Sequence, residues 1–261
     1  MGELGGLSRR IAAKDYPRAQ ILADRVGSGF TRQTLLKFVL PAILVIYFGS
    51  LTAAIRLSAG AYDWHRMSIS WLLYPRNDPV FHLFASAAIA ITGLLIVPIA
   101  GYMRMRMKGT EATFTNLGSL MLSLGALLLI AAGLIVSHPY AGAARFPRLH
   151  EMLARSAATA LGMAMLTLWI VVLTARRSSS AKAVLGLRRL SIAWSLVVIP
   201  AILVLALRVL AYIGREWSGG FFRAIGNRSL WHLGLWEWIG SGAVFLFLLS
   251  SALFLPDHAS E

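Results

Sequence analysis

The stretch that decides the fold is residues 79–103, which read PVFHLFASAAIAITGLLIVPIAGYM. It contains no Lys, Arg, Asp or Glu and is rich in Ala, Ile and Leu. About 20 apolar residues are enough for a helix to cross the roughly 30 Å hydrocarbon core of a bilayer. The stretch therefore predicts a membrane-spanning helix.

Five further apolar stretches of similar length lie before and after it. The six predicted spans are Leu35–Leu57, Pro79–Met103, Phe114–Val136, His150–Thr174, Leu190–Ile213 and Leu230–Leu255. The segments between them are short, so successive helices should run antiparallel and touch. We predict an all-α, polytopic integral membrane bundle of six transmembrane helices with short loops.

The composition agrees with a membrane protein and removes several classes of site. Of the 261 residues, 57% are hydrophobic and 14% are charged, and the mean hydropathy of +0.69 does not fit a soluble globular domain. No cysteine is present, which excludes disulfides, cysteine-ligated metals and thiol nucleophiles. The sequence also contains no phosphate-binding glycine loop and no nucleophile elbow.

The charge indicates the partner and the orientation. The formal net charge of +14 is dispersed over loops and tail without a nucleic-acid-binding module, so we expect anionic membrane lipids as the partner and no nucleic acid. With the amino terminus inside, fifteen Lys and Arg lie on the inner side and ten on the outer side. This bias predicts a multi-pass protein of the bacterial inner membrane with both termini in the cytoplasm.

Three segments follow from these assignments. They are a basic cytoplasmic tail over residues 1–34, the six-helix domain over 35–255 and a short carboxyl-terminal tail over 256–261. The basic tail is typical either of an amphipathic helix on the inner leaflet or of an unstructured topology signal. A cleaved signal peptide is not expected, because the first apolar stretch begins only at Leu35.

Small residues recur at helix-packing intervals in two spans. They are Gly118, Gly125 and Ala132 in the third span, and Ala154, Ala158 and Gly162 in the fourth. In lipid such series let helix backbones approach closely, because packing rather than exclusion of water holds the helices together. We interpret both series as packing faces of a tight bundle.

Polar residues concentrate at one end of the predicted bundle, formed by the connections after the first, third and fifth spans. We call it the histidine end, because it carries five of the six histidines: His65, His82, His138, His150 and His232. Six of the eight tryptophans lie there too. A preference for the membrane interface explains the tryptophans but does not explain ionisable residues within the spans.

Three ionisable residues are predicted to lie within spans near this end: Arg155, Arg208 and Glu237. A charge at that depth is costly unless it is paired or hydrated, so such residues are candidate functional groups. The arginines have the alternative of extending to the headgroups. Glu151 and Arg155 have the i,i+4 spacing at which they would simply pair with each other.

These observations define the candidate site residues. The candidate catalytic residues are His65, Ser68, Ser70, His82, His138, His150, Glu151, His232 and Glu237. The candidate substrate-binding residues are Arg155, Arg208, Trp64 and Trp236. Arginine suits a lipid phosphate or carboxylate because its guanidinium forms a bidentate fork.

The connection after the first span begins Tyr62-Asp63-Trp64-His65-Arg66-Met67-Ser68-Ile69-Ser70. It is too polar for a hairpin and too aromatic for a flexible linker, so we expect it to fold back into the headgroup region as a cap.

The Tyr, the Ser-Ile-Ser motif and the following apolar step and helix resemble the outer loop of the bacterial and archaeal membrane proteins of domain of unknown function 998. That family is similar to the six-span autophagy-modulator and GPI-lipid-remodelling proteins of eukaryotes. The resemblance extends to a polar loop after the third span and a His that opens the fourth. It implies Ser68, Ser70 and His150 as site candidates and implies no established reaction.

Three functions remain open on the sequence. The first is binding or processing of a lipid headgroup at the outer leaflet; an enzyme of this kind would be a membrane-embedded hydrolase or transferase, with a zinc ion held by imidazoles as one cofactor. No His-x-x-x-His or similarly close ligand pair is present, which argues against a metal. The second is electron transfer, with His82 and either His138 or His150 ligating haem b. The third is a structural or accessory role in a complex with other membrane subunits.

Overall fold

The computed structural model describes residues 30–57, 62–74, 80–107, 112–136, 149–178, 181–213 and 232–255, and every element in these ranges is helical. Six helices are long and apolar enough to cross a membrane. This confirms the predicted all-α, six-span membrane fold. The elements are α1 (Arg32–Leu57), a 3₁₀ helix (Ile69–Leu73), α2 (His82–Arg106), α3 (Ala112–Val136), α4 (Leu149–Ser178), α5 (Ala181–Ile213) and α6 (Leu233–Phe254).

The helices differ from the predicted spans mainly at their ends. Helices α4 and α5 continue into the basic segment between the fourth and fifth spans, so only residues 179–180 separate them. Charged residues with good helix propensity extend a helix beyond its apolar part, which hydropathy does not register. Helix α6 begins at Leu233 rather than Leu230, because His232 has the extended backbone of a residue preceding a helix.

Helix α1 alternates α-helical and π-helical turns, with π-helical segments at Leu35–Val39 and Leu44–Gly49. Pro41 lies between these segments and has no amide hydrogen to donate to the preceding turn. Irregular turns are tolerated in membrane helices where neighbouring groups satisfy the backbone. Near its start, Arg32 ties α1 to α6 by donating a hydrogen bond to the carbonyl oxygen of Leu253.

Helices α2, α3 and α4 pack closely because glycines face their neighbours. A Cβ added at Gly93 of α2 would lie 2.6 Å from the carbonyl oxygen of Ala126 in α3. A Cβ added at Gly125 of α3 would lie 2.7 Å from Leu161 in α4, and Gly118 makes the same kind of contact with α4. The interpretation of Gly118 and Gly125 as a packing face is confirmed.

The small-residue series of the fourth span faces the other way. Ala158 and Gly162 are exposed, and a Cβ added at Gly162 would meet nothing within 4 Å. Helix α4 is instead buried through Ala157, Leu161 and Leu168. The interpretation of this series as a packing face is wrong, because the leucine-containing series one position earlier fills the space against the α3 glycines and turns the smaller residues outward.

The packing of α5 changes at Pro200. Before this residue α5 is buried at Leu190, Trp194 and Val198, and Trp194 stacks on Phe247 of α6 with ring centroids 4.3 Å apart. From Ile199 to Leu210 no residue is buried. Proline cannot donate the backbone hydrogen bond of a helix interior, so it weakens α5 at the point where its contacts end.

Helices α4 and α6, the neighbours of α5, also have exposed or partly exposed side chains toward the histidine end. No residue of α6 from Leu235 to Leu246 is buried, and α4 is exposed at Arg155, Ala158 and Gly162. Toward the opposite end, which we call the basic end because it carries Arg188 and Arg189 of α5, the helices share one continuous core. The described helices therefore share a core toward the basic end, whereas toward the histidine end α5 contributes no buried residue from Ile199 to Leu210.

We expect Gly93→Ala to destabilise the bundle by about 1–3 kcal/mol, the usual cost of overpacking, because the new Cβ meets backbone that cannot move aside. Gly162→Ala is the matched control and should leave stability unchanged or slightly raised, since Ala is the better helix former. Thermal unfolding in detergent, followed by circular dichroism, measures both. Equal stability of the two variants would contradict the packing of α2 on α3.

Candidate functional site at the histidine end

Residues 62–74, between α1 and α2, fold back onto the histidine end, as their mixed polar and aromatic character predicts. We call residues 62–74 the cap; they contain a turn at residues 64–66 and then the 3₁₀ helix. Ile69, Leu72 and Leu73 are buried in a small core that the cap shares with α1 and α2. Burial of these side chains fixes the cap on the bundle.

Glu237 of α6 binds the cap through its carboxylate. The amide of Ile69 donates to Glu237 Oε2 at 2.5 Å, and the amide of Ser70 donates to the same carboxylate. These amides open the 3₁₀ helix and have no acceptor within it. The carboxylate supplies that acceptor, and its negative charge suits the start of a helix. Glu237 thus has a structural task, and its catalytic role stays a prediction.

The cap in turn satisfies the first turn of α6. The amide of Leu235 donates to the carbonyl oxygen of His65 at 3.2 Å. Gly234 permits this approach, because a Cβ at that position would lie only 2.2 Å from the carbonyl oxygen of Met67. Each element therefore provides an acceptor for the first amides of the other.

A tyrosine hydroxyl of the cap lies in a second polar contact with α6. Trp238 Nε1 donates to the Tyr62 hydroxyl at 3.2 Å, and that hydroxyl donates to the carbonyl oxygen of Met67 at 3.0 Å. Burial raises the pKa of Tyr62 to about 12, against the opposing effect of the Trp238 hydrogen bond. Tyr62 is therefore a neutral donor at physiological pH.

Helix α1 joins the same network through Tyr47. The hydroxyls of Tyr47 and Ser241 are hydrogen-bonded at 2.7 Å, and Ser241 donates to the carbonyl oxygen of Glu237 at 2.8 Å. Polar side chains within spans are stabilised by such interhelical bonds. Sequence reasoning missed Tyr47, Tyr62, Trp238 and Ser241 as members of the site. The signal present in the sequence is the i,i+4 spacing of Glu237 and Ser241.

Two histidines from different elements meet at the edge of the cap. The rings of His65 and His232 have centroids 5.4 Å apart and planes inclined by 67°. Trp64 packs edge-on against His65, with centroids 6.0 Å apart. His82 opens α2 at the same end of the bundle, and His138 lies outside the described residues.

His150 is separate from that pair and is buried, with 5% of its surface exposed. Its ring packs edge-on against Tyr74 of the cap, and Nδ1 bonds the carbonyl oxygen of Ala132 at 3.0 Å. Because a carbonyl oxygen only accepts, Nδ1 carries the proton and Nε2 of the neutral ring is an acceptor. In the part of the chain described, Nε2 has no hydrogen-bond partner. His150 therefore offers a buried acceptor to a water or a hydroxyl group.

Ser68 and Ser70 occupy the start of the 3₁₀ helix. Ser68 is its capping residue and makes no side-chain capping bond, while the backbone of Ser70 is held by Glu237. Over the described ranges no hydrogen bond joins either hydroxyl to a histidine. The structure brings the backbone of Ser70 to Glu237, and a nucleophilic role for either serine stays a prediction.

The remaining candidates lie on the surface around this network. Glu151 and Arg155 form the salt bridge that their spacing predicts, with side chains that are 47% and 72% exposed. Arg208 is exposed near the end of α5. Trp64 is 57% exposed on the cap, and Trp236 is half-buried on α6.

A groove is present elsewhere on the bundle. It lies between α4 and α5, encloses about 340 Å³ and is lined by Leu173, Ser191, Ile192, Ser195, Leu196, Ile199 and Pro200. Trp169 Nε1 donates to the Ser195 hydroxyl beside it at 2.9 Å. The groove lies on the basic side of Pro200 and is therefore distinct from the pocket predicted at the histidine end.

The described residues contain no group of three or more His, Asp or Glu side chains arranged to hold a metal ion. The three-imidazole zinc site considered on the sequence accordingly gains no support from the four histidines whose positions are described.

The chain matches no family model, no curated protein and no solved structure. The resemblance to domain of unknown function 998 stays a prediction, and the function has to be inferred from the geometry.

Glu237→Ala should release the cap and cost about 1–3 kcal/mol, because the amides of Ile69, which is buried, and Ser70 lose their acceptor. Glu237→Gln keeps one oxygen and should cost less. Limited proteolysis of the cap and thermal unfolding measure the effect. Glu151→Ala removes an exposed carboxylate and serves as the control, with an expected change within about 0.5 kcal/mol. Wild-type protection of the cap in Glu237→Ala would show that the carboxylate does not hold it.

The raised pKa of Tyr62 predicts a loss of stability at alkaline pH. The folded-state value of about 12 exceeds the ordinary value of 10.0, so the folded protein holds this proton more tightly. The stability gained from the tight proton is complete below pH 10 and is lost as the pH approaches 12. The stability difference between wild type and Tyr62→Phe should therefore shrink over this interval. A constant difference in unfolding temperature would refute the assignment.

Proposed function

We propose that the protein binds the headgroup of an anionic membrane lipid at the histidine end. In this proposal the histidine end faces the outer leaflet of the bacterial inner membrane, and both termini lie in the cytoplasm. The observation that carries the proposal is the exposed surface of α5 toward this end, where no residue from Ile199 to Leu210 is buried.

The uncovered surface of α5 is strongly apolar. Ile202, Leu203 and Leu205 are 44%, 58% and 65% exposed. Acyl chains are the solvent of such side chains in the bilayer, so a lipid whose chains lie against this surface of α5 would cover it.

Two exposed arginines near this end offer donors for an anionic headgroup. Arg155 of α4 forms a salt bridge with Glu151, and its guanidinium has further N–H donors beyond that contact. Arg208 lies on α5 about one turn before its end. Long arginine side chains at this depth extend to the headgroup level. The guanidinium group binds a phosphate in a bidentate manner, and the net charge of +14 favours anionic lipids in general.

His150 adds a further polar feature to the same end. Its Nε2, which has no hydrogen-bond partner among the described residues, is an acceptor and suits a hydroxyl of a headgroup or a water bound with it. Processing of the lipid would also need a nucleophile held beside this histidine. The described contacts do not place one there, so we propose binding alone.

Native mass spectrometry of the protein, titrated with phosphatidylglycerol and with phosphatidylcholine, tests the proposal. We expect wild type to retain phosphatidylglycerol preferentially. The double variant Arg155→Gln/Arg208→Gln should weaken this binding at least about fivefold, since each basic residue near anionic lipid contributes roughly 1 kcal/mol.

The matched control is Arg188→Gln/Arg189→Gln, which removes the same charge from the basic end of α5. It should leave the preference for phosphatidylglycerol as in wild type. Equal binding of both lipids by wild type, or equal losses in the two double variants, would show that the histidine end is not an anionic-lipid site.

An accessory subunit is the second candidate function, and the exposure of Trp64 on the cap favours it. Tryptophan is enriched in the cores of protein interfaces, and this one is 57% exposed. This function predicts that Trp64→Ala releases a membrane protein that otherwise co-purifies in a fixed ratio, while lipid binding is unchanged.

An absorption spectrum of the same sample tests the haem hypothesis by its Soret band.

A further inference from the structure

We infer that His65 and His232 form a binding site for one divalent transition-metal ion, which fastens the cap to the start of α6. The inference is independent of lipid binding. It rests on the ring geometry, on access to the rings and on the chemistry of imidazole.

The separation of the two rings fits joint coordination of one ion. With a zinc–nitrogen distance of about 2.0–2.1 Å, the ion lies about 3.2 Å from the centroid of each ring, and a tetrahedral angle places the centroids about 5 Å apart. The centroids of His65 and His232 are 5.4 Å apart. The planes are inclined by 67° in an edge-to-face contact, so rotation of one ring about its Cβ–Cγ bond is needed for a nitrogen of each ring to face the same ion.

Both residues are partly exposed, and among the described residues neither ring nitrogen has a hydrogen-bond partner. An ion can therefore reach the pair from water. His150 differs on both counts, because it is buried and its Nδ1 is held by a backbone carbonyl.

The chemistry of two imidazoles selects the class of ion. Imidazole binds Zn²⁺, Ni²⁺ and Cu²⁺, whereas Mg²⁺ and Ca²⁺ prefer oxygen ligands. Two protein ligands leave two positions of a tetrahedral ion for water. Asp63 does not complete the set, because its carboxylate accepts from the His65 amide at 3.0 Å and lies 3.6 Å from Arg66.

An ion at this site would act across the contact that already docks the cap. The carbonyl of His65 accepts from Leu235, and His232 directly precedes α6. A metal bridge between the two side chains adds a link at the same place and stabilises the docked cap by mass action.

Isothermal titration of the tag-free full chain with ZnCl₂, CuCl₂ and MgCl₂ tests the inference. We expect one Zn²⁺ or Cu²⁺ per chain, tighter binding of Cu²⁺, and no binding of Mg²⁺. His65→Ala and His232→Ala should each weaken binding by about tenfold or more, and the double variant should show no site. His82→Ala removes a histidine from the same end and should bind as wild type does.

Fluorescence gives a second readout, because the ring centroids of Trp64 and His65 are 6.0 Å apart. Cu²⁺ should quench this indole with the midpoint found by titration calorimetry, and Trp64→Phe should remove that component of the quenching. In metal-free buffer His65→Ala should keep the cap docked, because the backbone carbonyl of His65 still accepts from Leu235. Loss of the ring contacts with Trp64 and His232 should lower the unfolding temperature by only about 2–4 °C. Should that variant be unstable, His232→Ala decides the question.

Three results would overturn the inference. One is the absence of saturable Zn²⁺ or Cu²⁺ binding by wild type, and another is binding that survives both substitutions. The third is an equal loss in His82→Ala, which would show that the histidine end attracts metal without using this pair.

Discussion

A backbone amide without an acceptor is expensive at the edge of a bilayer, and the carboxylate of Glu237 removes this cost for the start of the 3₁₀ helix. In turn, the carbonyl oxygen of His65 in the cap accepts a hydrogen bond from the amide of Leu235 in α6. Because this reciprocal contact fixes the cap, it also sets the positions of two cap side chains, His65 and Tyr74. His65 lies against His232, Tyr74 packs against His150, and both contacts depend on the docked cap.

The bundle combines closely packed helices with a helix whose apolar surface is exposed. Helices α2, α3 and α4 approach closely at Gly93 and Gly125, where any side chain would collide with a neighbour. Helix α5 has buried residues up to Val198 and none from Ile199 to Leu210. A set of closely packed helices that holds the cap, beside a helix whose apolar surface is exposed to lipid, is the arrangement expected of a binding site built on a rigid scaffold.

Hydropathy predicts the six spans because the length of an apolar run is a property of the sequence alone, and the Glu151–Arg155 pair is predictable because it is local. The rotation of a helix about its axis depends on the neighbours against which it packs, so the sequence predicts the wrong packing face for the fourth span. The contact of Glu237 with Ile69 joins residues 168 positions apart. The sequence indicates which end is polar, but only the folded cap shows which polar groups meet.

Coverage of α5 by lipid beyond Pro200 can be measured with single labelled cysteines, because the chain contains no cysteine of its own. Single cysteines through Leu187–Leu210, each carrying a nitroxide, report oxygen accessibility in bilayers containing phosphatidylglycerol. We expect oxygen accessibility to vary with a helical period, with protected positions up to Val198 and no protected position from Ile199 onward. A protected face that continues with the same period beyond Pro200 would show that protein rather than lipid covers α5 there.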